Sequence, residues 1–279
     1  MKRTLLFAVA LALITSACAA DSEEPGTTTT TSVPGTGAPP ANGDDVLLII
    51  RDEGGFAPIE FIINQPPTYT LLRDGTFIFQ GTQPAAFPGP VMPGMSQTKL
   101  TADQMEDIMV LIEASTLPEI DEVVNNEANQ FVADASTTVA IYFDENGQTH
   151  TYSVYALGLT LDDELPDDLA NLLLLRQRLA DFSFGDGEPY TSDSIIVRVV
   201  EGGGFAEFED TREWAFGFEP DTMPTLNNFP CLVLEGADAD ELRATLVDAT
   251  QATNWEHATG MFTVLARDMM PGESGCDQQ

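Results

Sequence analysis

The chain has 279 residues, 45 of them acidic and 11 basic, for a formal charge of −34. Such a field repels nucleic acid and anionic lipid headgroups and excludes both as partners. It attracts divalent cations, polyamines or a basic protein, although acids scattered over every segment are accounted for by solubility alone.

Lys2-Arg3, the apolar run from Leu5 to Ile14 and then Thr15-Ser16-Ala17-Cys18 have the order of a bacterial secretion signal: positive start, short apolar stretch, small-residue cleavage zone. The apolar stretch is too short to span a bilayer as a mature helix. Cys18 directly behind small residues fits a lipobox, in which cleavage before the cysteine frees its thiol for a diacylglycerol anchor; Thr15 stands where such motifs usually have Leu. A signal peptidase of the other kind would read Ala17-Cys18-Ala19 and discard Cys18. The residues that follow favour the lipid. Ala19 to Asp45 has no apolar run, five threonines from Thr27 to Thr31, and Pro25, Pro34, Pro39 and Pro40. That is the composition of a disordered tether. Extended it reaches at most about 90 Å, and as a coil nearer about 30 Å. A tether is useful if a lipid holds its near end, so residues 1–17 read as signal and 18–45 as tether.

Two α+β parts are expected beyond it, 46–185 and 190–279, built of antiparallel β-hairpins and sheets packed with about three helices. Val46 to Ile50 reads as a buried strand. Pro67 to Arg73 and Thr76 to Gln80 form a hairpin around Asp74-Gly75, a pair suited to a type I′ turn. A Pro-, Gly- and Met-rich loop runs from Gln83 to Gly94. Thr101 and Gln104 stand in capping-box register ahead of a helix bearing Met105, Ile108, Met109 and Ile112 on one face. A second hairpin turns at Glu145-Asn146-Gly147, with Val139, Ile141 and Phe143 alternating towards a core. Pro166-Asp167-Asp168 opens a second helix with Leu169, Leu172, Leu173 and Leu179 as its stripe.

The second part opens on a β-branched run, Ser194 to Val200. A third helix is expected over Asp238 to Thr250, with Asp238 and Glu241 as a capping box and Leu242, Leu246 and Ala249 inward, and then a closing strand over Met261 to Ala266. Ile195 to Val199 before Gly203-Gly204-Phe205-Ala206 echoes Val46 to Ile50 before Gly54-Gly55-Phe56-Ala57, and Glu209 matches Glu60. Two related strand–helix–strand units, the second abbreviated, would explain the echo. With Cys18 lipidated, Cys231 and Cys276 are the remaining cysteines, and outside the cytoplasm a lone pair bridges.

The succession Pro67-x-Tyr69-x-Leu71, Asp74-Gly75-Thr76, the Thr101-capped helix, Asp134-Ala135-Ser136-Thr137-Thr138 and then hairpin and helix resembles a recurring bacterial envelope domain of unknown function. The whole chain, with its Thr/Pro tether and Pro271-Gly272-Glu273 ahead of Cys276, is similar to uncharacterised actinobacterial lipoproteins. The resemblance implies the compartment and the α+β plan, and brings no catalytic residues with it.

Signatures of chemistry are sparse. His150 shares a strand face with Tyr152 and Val154, the setting of a hydrogen-bonded histidine at the edge of a core. His257 has no second histidine at ligand spacing. No zinc-protease, nucleophile-elbow, phosphate-loop or Cys-x-x-Cys pattern is present, and Lys99 as a nucleophile would need a desolvated pocket. Asp162-Asp163-Glu164 with Asp167-Asp168, and Asp238-x-Asp240-Glu241, are weak calcium candidates without EF-hand spacing. Phe87, Val91 and Met92, on the proline-rich loop, either pack on the domain or meet an envelope partner. No catalytic residue, metal site or cofactor is expected. The reading is a membrane-anchored, non-enzymatic envelope lipoprotein, with an extracytoplasmic hydrolase or a calcium- or solute-binding lipoprotein as alternatives.

Overall fold

In the computed structural model the described residues are 45–56, 62–81, 88–125, 132–159, 165–185, 187–202, 210–226 and 229–276. The apolar run at Val46 becomes β1 (Val46–Gly54), whose first five residues are all buried because neighbouring structure covers the strand on both faces. β2 (Tyr69–Leu72) and β3 (Thr76–Gln80) pair as the first hairpin. Its turn is not the two-residue type I′ expected. Only Gly75 takes a positive φ, +85°, and the Asp74 carboxylate accepts the Thr76 N–H at 2.9 Å, so a left-handed glycine closes a three-residue connection.

β4 (Met95–Lys99) adds to β3 and leads into α1 (Ala102–Ala114), which carries the expected capping box: Thr101 Oγ1 accepts the Gln104 N–H, and Gln104 Oε1 accepts the Thr101 N–H. After β5 (Glu122–Asn125), the second hairpin is β6 (Ser136–Phe143) and β7 (Thr149–Tyr155). α2 (Asp167–Ser183) follows, with Pro166 at its N-cap, and then β8 (Glu188–Tyr190). The sheet order is β5-β7-β6-β1-β2-β3-β4-β8.

One face of this sheet is closed by Ile108 and Ile112 of α1 and by Leu169, Leu172, Leu175 and Leu179 of α2, against Leu48, Ile50, Phe77, Ala140, Tyr142 and Val154. The inward α2 residue between Leu172 and Leu179 is Leu175; Leu173 of the expected stripe packs at the margin. β6 likewise turns Ala140 and Tyr142 to the helices, while Ile141 and Phe143 pack on the opposite face with Val46, Ile49 and Leu72.

The second sheet comprises β9 (Ser194–Glu201), β10 (Asp210–Glu213), β11 (Thr225–Leu226), β12 (Phe229–Glu235), β13 (Thr253–His257) and β14 (Gly260–Asp268), ordered β10-β13-β14-β9-β12-β11. α3 (Gly236–Leu246) follows β12 without a loop. It starts two residues before the expected Asp238, because Gly236 makes the corner at φ +55° and donates its N–H to Asp193 O. Asp238 therefore lies in the first turn, and no side chain caps the helix, so the expected capping box does not form. Leu242, Leu246 and Ala249 are buried as expected.

The architecture is α+β. Antiparallel pairing holds throughout except at two edges, where β5 runs parallel to β7 and β10 parallel to β13, making both sheets mixed. Taken from these edges, β5-β7-β6-β1-β2-β3 and β10-β13-β14-β9-β12-β11 have the same succession of strand directions, and the echoing runs β1 and β9 hold the same place. The wiring differs. The hairpin behind α1 joins β1 through its first strand, β6, whereas the hairpin behind α3 joins β9 through its second, β14. The Ala57, Glu60 and Gly203–Glu209 parts of the echo lie outside the described residues.

Both sheets belong to one compact unit. β8, at the boundary between the two expected parts, pairs with β4 of the first sheet, while Val91, from the first part of the chain, lies in the core of the second. The C-terminal segment after β14 bridges the two. Met270 packs with Ile78 and Met95 of the first sheet, Tyr190 Oη donates to Met269 O at 3.1 Å, and Cys276 is disulfide-bonded to Cys231 of β12.

Candidate functional site

The most distinctive side-chain assembly lies on the second sheet. Trp214-Ala215-Phe216-Gly217-Phe218 alternates aromatic and small residues directly after β10, so its rings point one way while the small residues face solvent. Backbone pairing anchors the segment where the Trp214 N–H meets Glu256 O at 2.9 Å. The indole Nε1 then donates to Phe218 O, also at 2.9 Å, and curls the chain back on itself. Phe216 and Phe218 are stacked with centroids 5.3 Å apart, and Phe216 meets the edge of buried Trp255 at 4.6 Å. Trp214 contacts Phe216, Phe218, His257 and Phe262, making one continuous cluster.

A cleft of about 220 Å³ opens beside this cluster. Phe216 and Phe218 line it from the aromatic segment, Leu232 and Leu234 from one face of β12, and Leu242 and Thr245 from α3. Asp238 and Glu241 line it as well, and both are exposed. Residues 238, 241, 242 and 245 follow helical spacing, so a single face of α3 supplies both apolar surface and carboxylates. The result is an apolar groove with negative charge on its solvent side.

Two supports hold the groove's surroundings. Asp210 of β10 accepts from Thr253 Oγ1 at 2.6 Å and from Arg212 at 3.1 and 3.3 Å, and these bonds hold its carboxyl below the usual range. His257 Nε2 lies 2.7 Å from Glu219 Oε2, and its Nδ1 lies 2.9 Å from Thr259 Oγ1. Nδ1 also accepts the Thr259 backbone N–H, so the ring closes the β13–β14 turn and ties the aromatic segment to it through Glu219.

The residues singled out from sequence fall elsewhere. Cys18 and Phe87 lie outside the described residues. Val91 is 2 % exposed in the second core, with its N–H on Ala249 O, and Met92 packs against the same core, so these two side chains spend their apolar surface inside the fold. Cys231 and Cys276 are bonded, with Cα atoms 6.0 Å apart. His150 is buried beside Tyr142, with Nδ1 at 2.5 Å from Ile120 O. Lys99 forms an exposed ion pair with Asp74. Of the calcium candidates, Asp162-Asp163-Glu164 lies outside the described residues, Asp168 accepts from Tyr152 Oη at 2.9 Å and Asp240 pairs with Arg243. Among the described residues no group of three or more His, Cys, Asp or Glu is arranged to hold a metal ion, and no helix is long and apolar enough to cross a membrane.

The cleft was not foreseen from sequence. Its signal is the period-two aromatic pattern from Trp214 to Phe218, which reads as a half-buried strand but forms a curled segment. No protein-family model, curated protein or solved structure matches the chain.

Proposed function

We propose that this chain is a non-enzymatic binding protein of the cell envelope, exported through its N-terminal signal and held to the membrane by a diacylglycerol on Cys18. The observation that carries this reading is the Cys231–Cys276 disulfide in a chain headed by Lys2-Arg3, an apolar stretch and a Thr/Pro tether. Structural disulfides persist in oxidising compartments and are rare in the cytosol, so the bridge and the signal support the same address from opposite ends of the chain. The half-open aromatic cleft supports binding as the activity, because apolar lining with few polar groups is what ligand sites present.

Fractionation of cells producing the full chain tests the location. The unaltered protein sediments with membranes, resists a high-salt wash and is released by detergent, while Cys18→Ser appears in the medium. Equal distribution of the two forms would contradict the anchor.

A hydrolase is the competing reading. The observation favouring it is the succession Glu219, His257 and Thr259, in which an imidazole stands between a carboxylate and a hydroxyl. Thr259 reaches the ring within its own two-residue turn, and the turn accounts for the arrangement.

A further inference from the structure

We propose that the cleft between the aromatic segment and α3 binds a small organic ammonium ion, its apolar body against Phe216, Phe218, Leu232 and Leu234 and its charge held by Asp238 and Glu241. The inference rests on the reading of the chain as a binding protein and names the ligand class of that site.

Size is the first argument. At about 220 Å³ the cleft is smaller than the roughly 300–1,000 Å³ of drug-sized sites. A single ring or short alkyl body fits; a folded peptide segment does not.

Charge is the second. Among the described residues every lysine and arginine side chain is already engaged. Arg51, Lys99, Arg176, Arg178, Arg212, Arg243 and Arg267 are each ion-paired to a carboxylate, Arg73 donates to Phe143 O and Asp144 O, and Arg198 donates to Cys276 O. Asp238 and Glu241 are not among these partners, so both carboxylates stay available to a cation that enters the cleft. In a chain with formal charge −34 a cation also gains from the field of the whole protein.

Aromaticity is the third. Ring faces attract ammonium ions through their quadrupole, and the attraction grows as water is excluded. Phe216 and Phe218 are half-buried and line the cleft, with Trp214 packed against both rings and Trp255 against Phe216. A neutral apolar ligand would leave two carboxylates idle beside it, and an anion would be repelled by them.

The chain carries its own reporter. Its two tryptophans, Trp214 and Trp255, both contact Phe216. The full chain with Cys18→Ser, released without lipid, is titrated with benzyltrimethylammonium, with benzyl alcohol and phenylacetate as the neutral and anionic comparisons. The expected result is a saturable change in tryptophan fluorescence for the cation alone, weakened about tenfold by Asp238→Asn with Glu241→Gln and abolished by Phe216→Ala. If the double variant does not fold, salt tests the same charge on the unaltered cleft, since binding of the cation must weaken between low and high ionic strength. Absence of a saturable change, equal binding of benzyl alcohol, or salt-independent binding would overturn the proposal. So would self-association that Phe216→Ala abolishes without any response to the cation, which would assign the cleft to a second copy of the chain. None of these results touches the membrane fractionation, so the ligand class and the address fail separately.

Discussion

Arg267 on β14 grips Glu273 on the C-terminal segment through two parallel hydrogen bonds of 2.6 and 2.8 Å, with side chains only 2 % and 4 % exposed. Glu273 Oε2 also accepts the Met270 N–H at 2.7 Å, which bends the segment back over the sheet. A second buried guanidinium, Arg198 of β9, lies on the same face, its pKa lowered first by burial, then by Arg267, and partly restored by Glu273. One carboxylate thus serves two buried cations. Glu273→Gln is expected to cost about 3–5 kcal/mol, read by urea denaturation, whereas Arg267→Met with Glu273→Leu restores only part of the loss, because Arg198 then stays buried without its carboxylate.

The disulfide closes a separation of 45 positions and fastens the same segment to β12. Constraining the unfolded chain over that loop is worth about 4 kcal/mol. Cys231→Ser should lower the thermal midpoint markedly, and adding reductant to the unaltered protein should reproduce the fall. A reduced protein as stable as the oxidised one would contradict this.

At high pH the buried tyrosines contribute to stability, Tyr190 and Tyr152 foremost. Burial, ahead of its other neighbours, pushes Tyr190 up to about 12, and burial with the Asp168 hydrogen bond does the same for Tyr152. A tyrosine raised in the folded state contributes stability that is fully present below its unfolded value of about 10 and is lost as pH rises through the folded one. Unfolding should therefore become easier between about pH 10 and 12, and Tyr190→Phe should flatten that fall. Tyrosine absorbance should show these two rings ionising late.

At low pH the sign reverses for Asp210. Its hydrogen bond from Thr253, then the Arg212 contact, lowers its pKa, so its contribution is present above the unfolded value and disappears as pH falls through the folded one. Asp210→Asn should be less stable than the unaltered chain near neutrality and equal to it in strong acid. A difference that persists at low pH would mean that packing of β10 on β13, not the charge, holds this edge.

The strands legible in the sequence are those that carry their own apolar runs or turn residues: β1, β9, the two hairpins and β14. β4, β5 and β8 escaped notice because Met95–Lys99, Glu122–Asn125 and Glu188–Tyr190 are short and mostly polar, and exist through backbone pairing with neighbours distant in sequence. Arg198 and Arg267 are charged residues buried on strands, and the C-terminal segment that buries them has no periodicity to announce it. Asp238 and Glu241 matched a capping box, yet Gly236 starts the helix earlier and leaves both carboxylates on the cleft. The cleft combines an aromatic segment, a strand face and a helix face, and only the tertiary arrangement brings them together.

The envelope address is the central claim about this protein, and its native N-terminus tests that claim most directly. Mass spectrometry of the N-terminal peptide from membrane-extracted protein should give Cys18 as the first residue, bearing a diacylglyceryl group. A soluble chain beginning at Ala20, or one that retains residues 1–17, would contradict it.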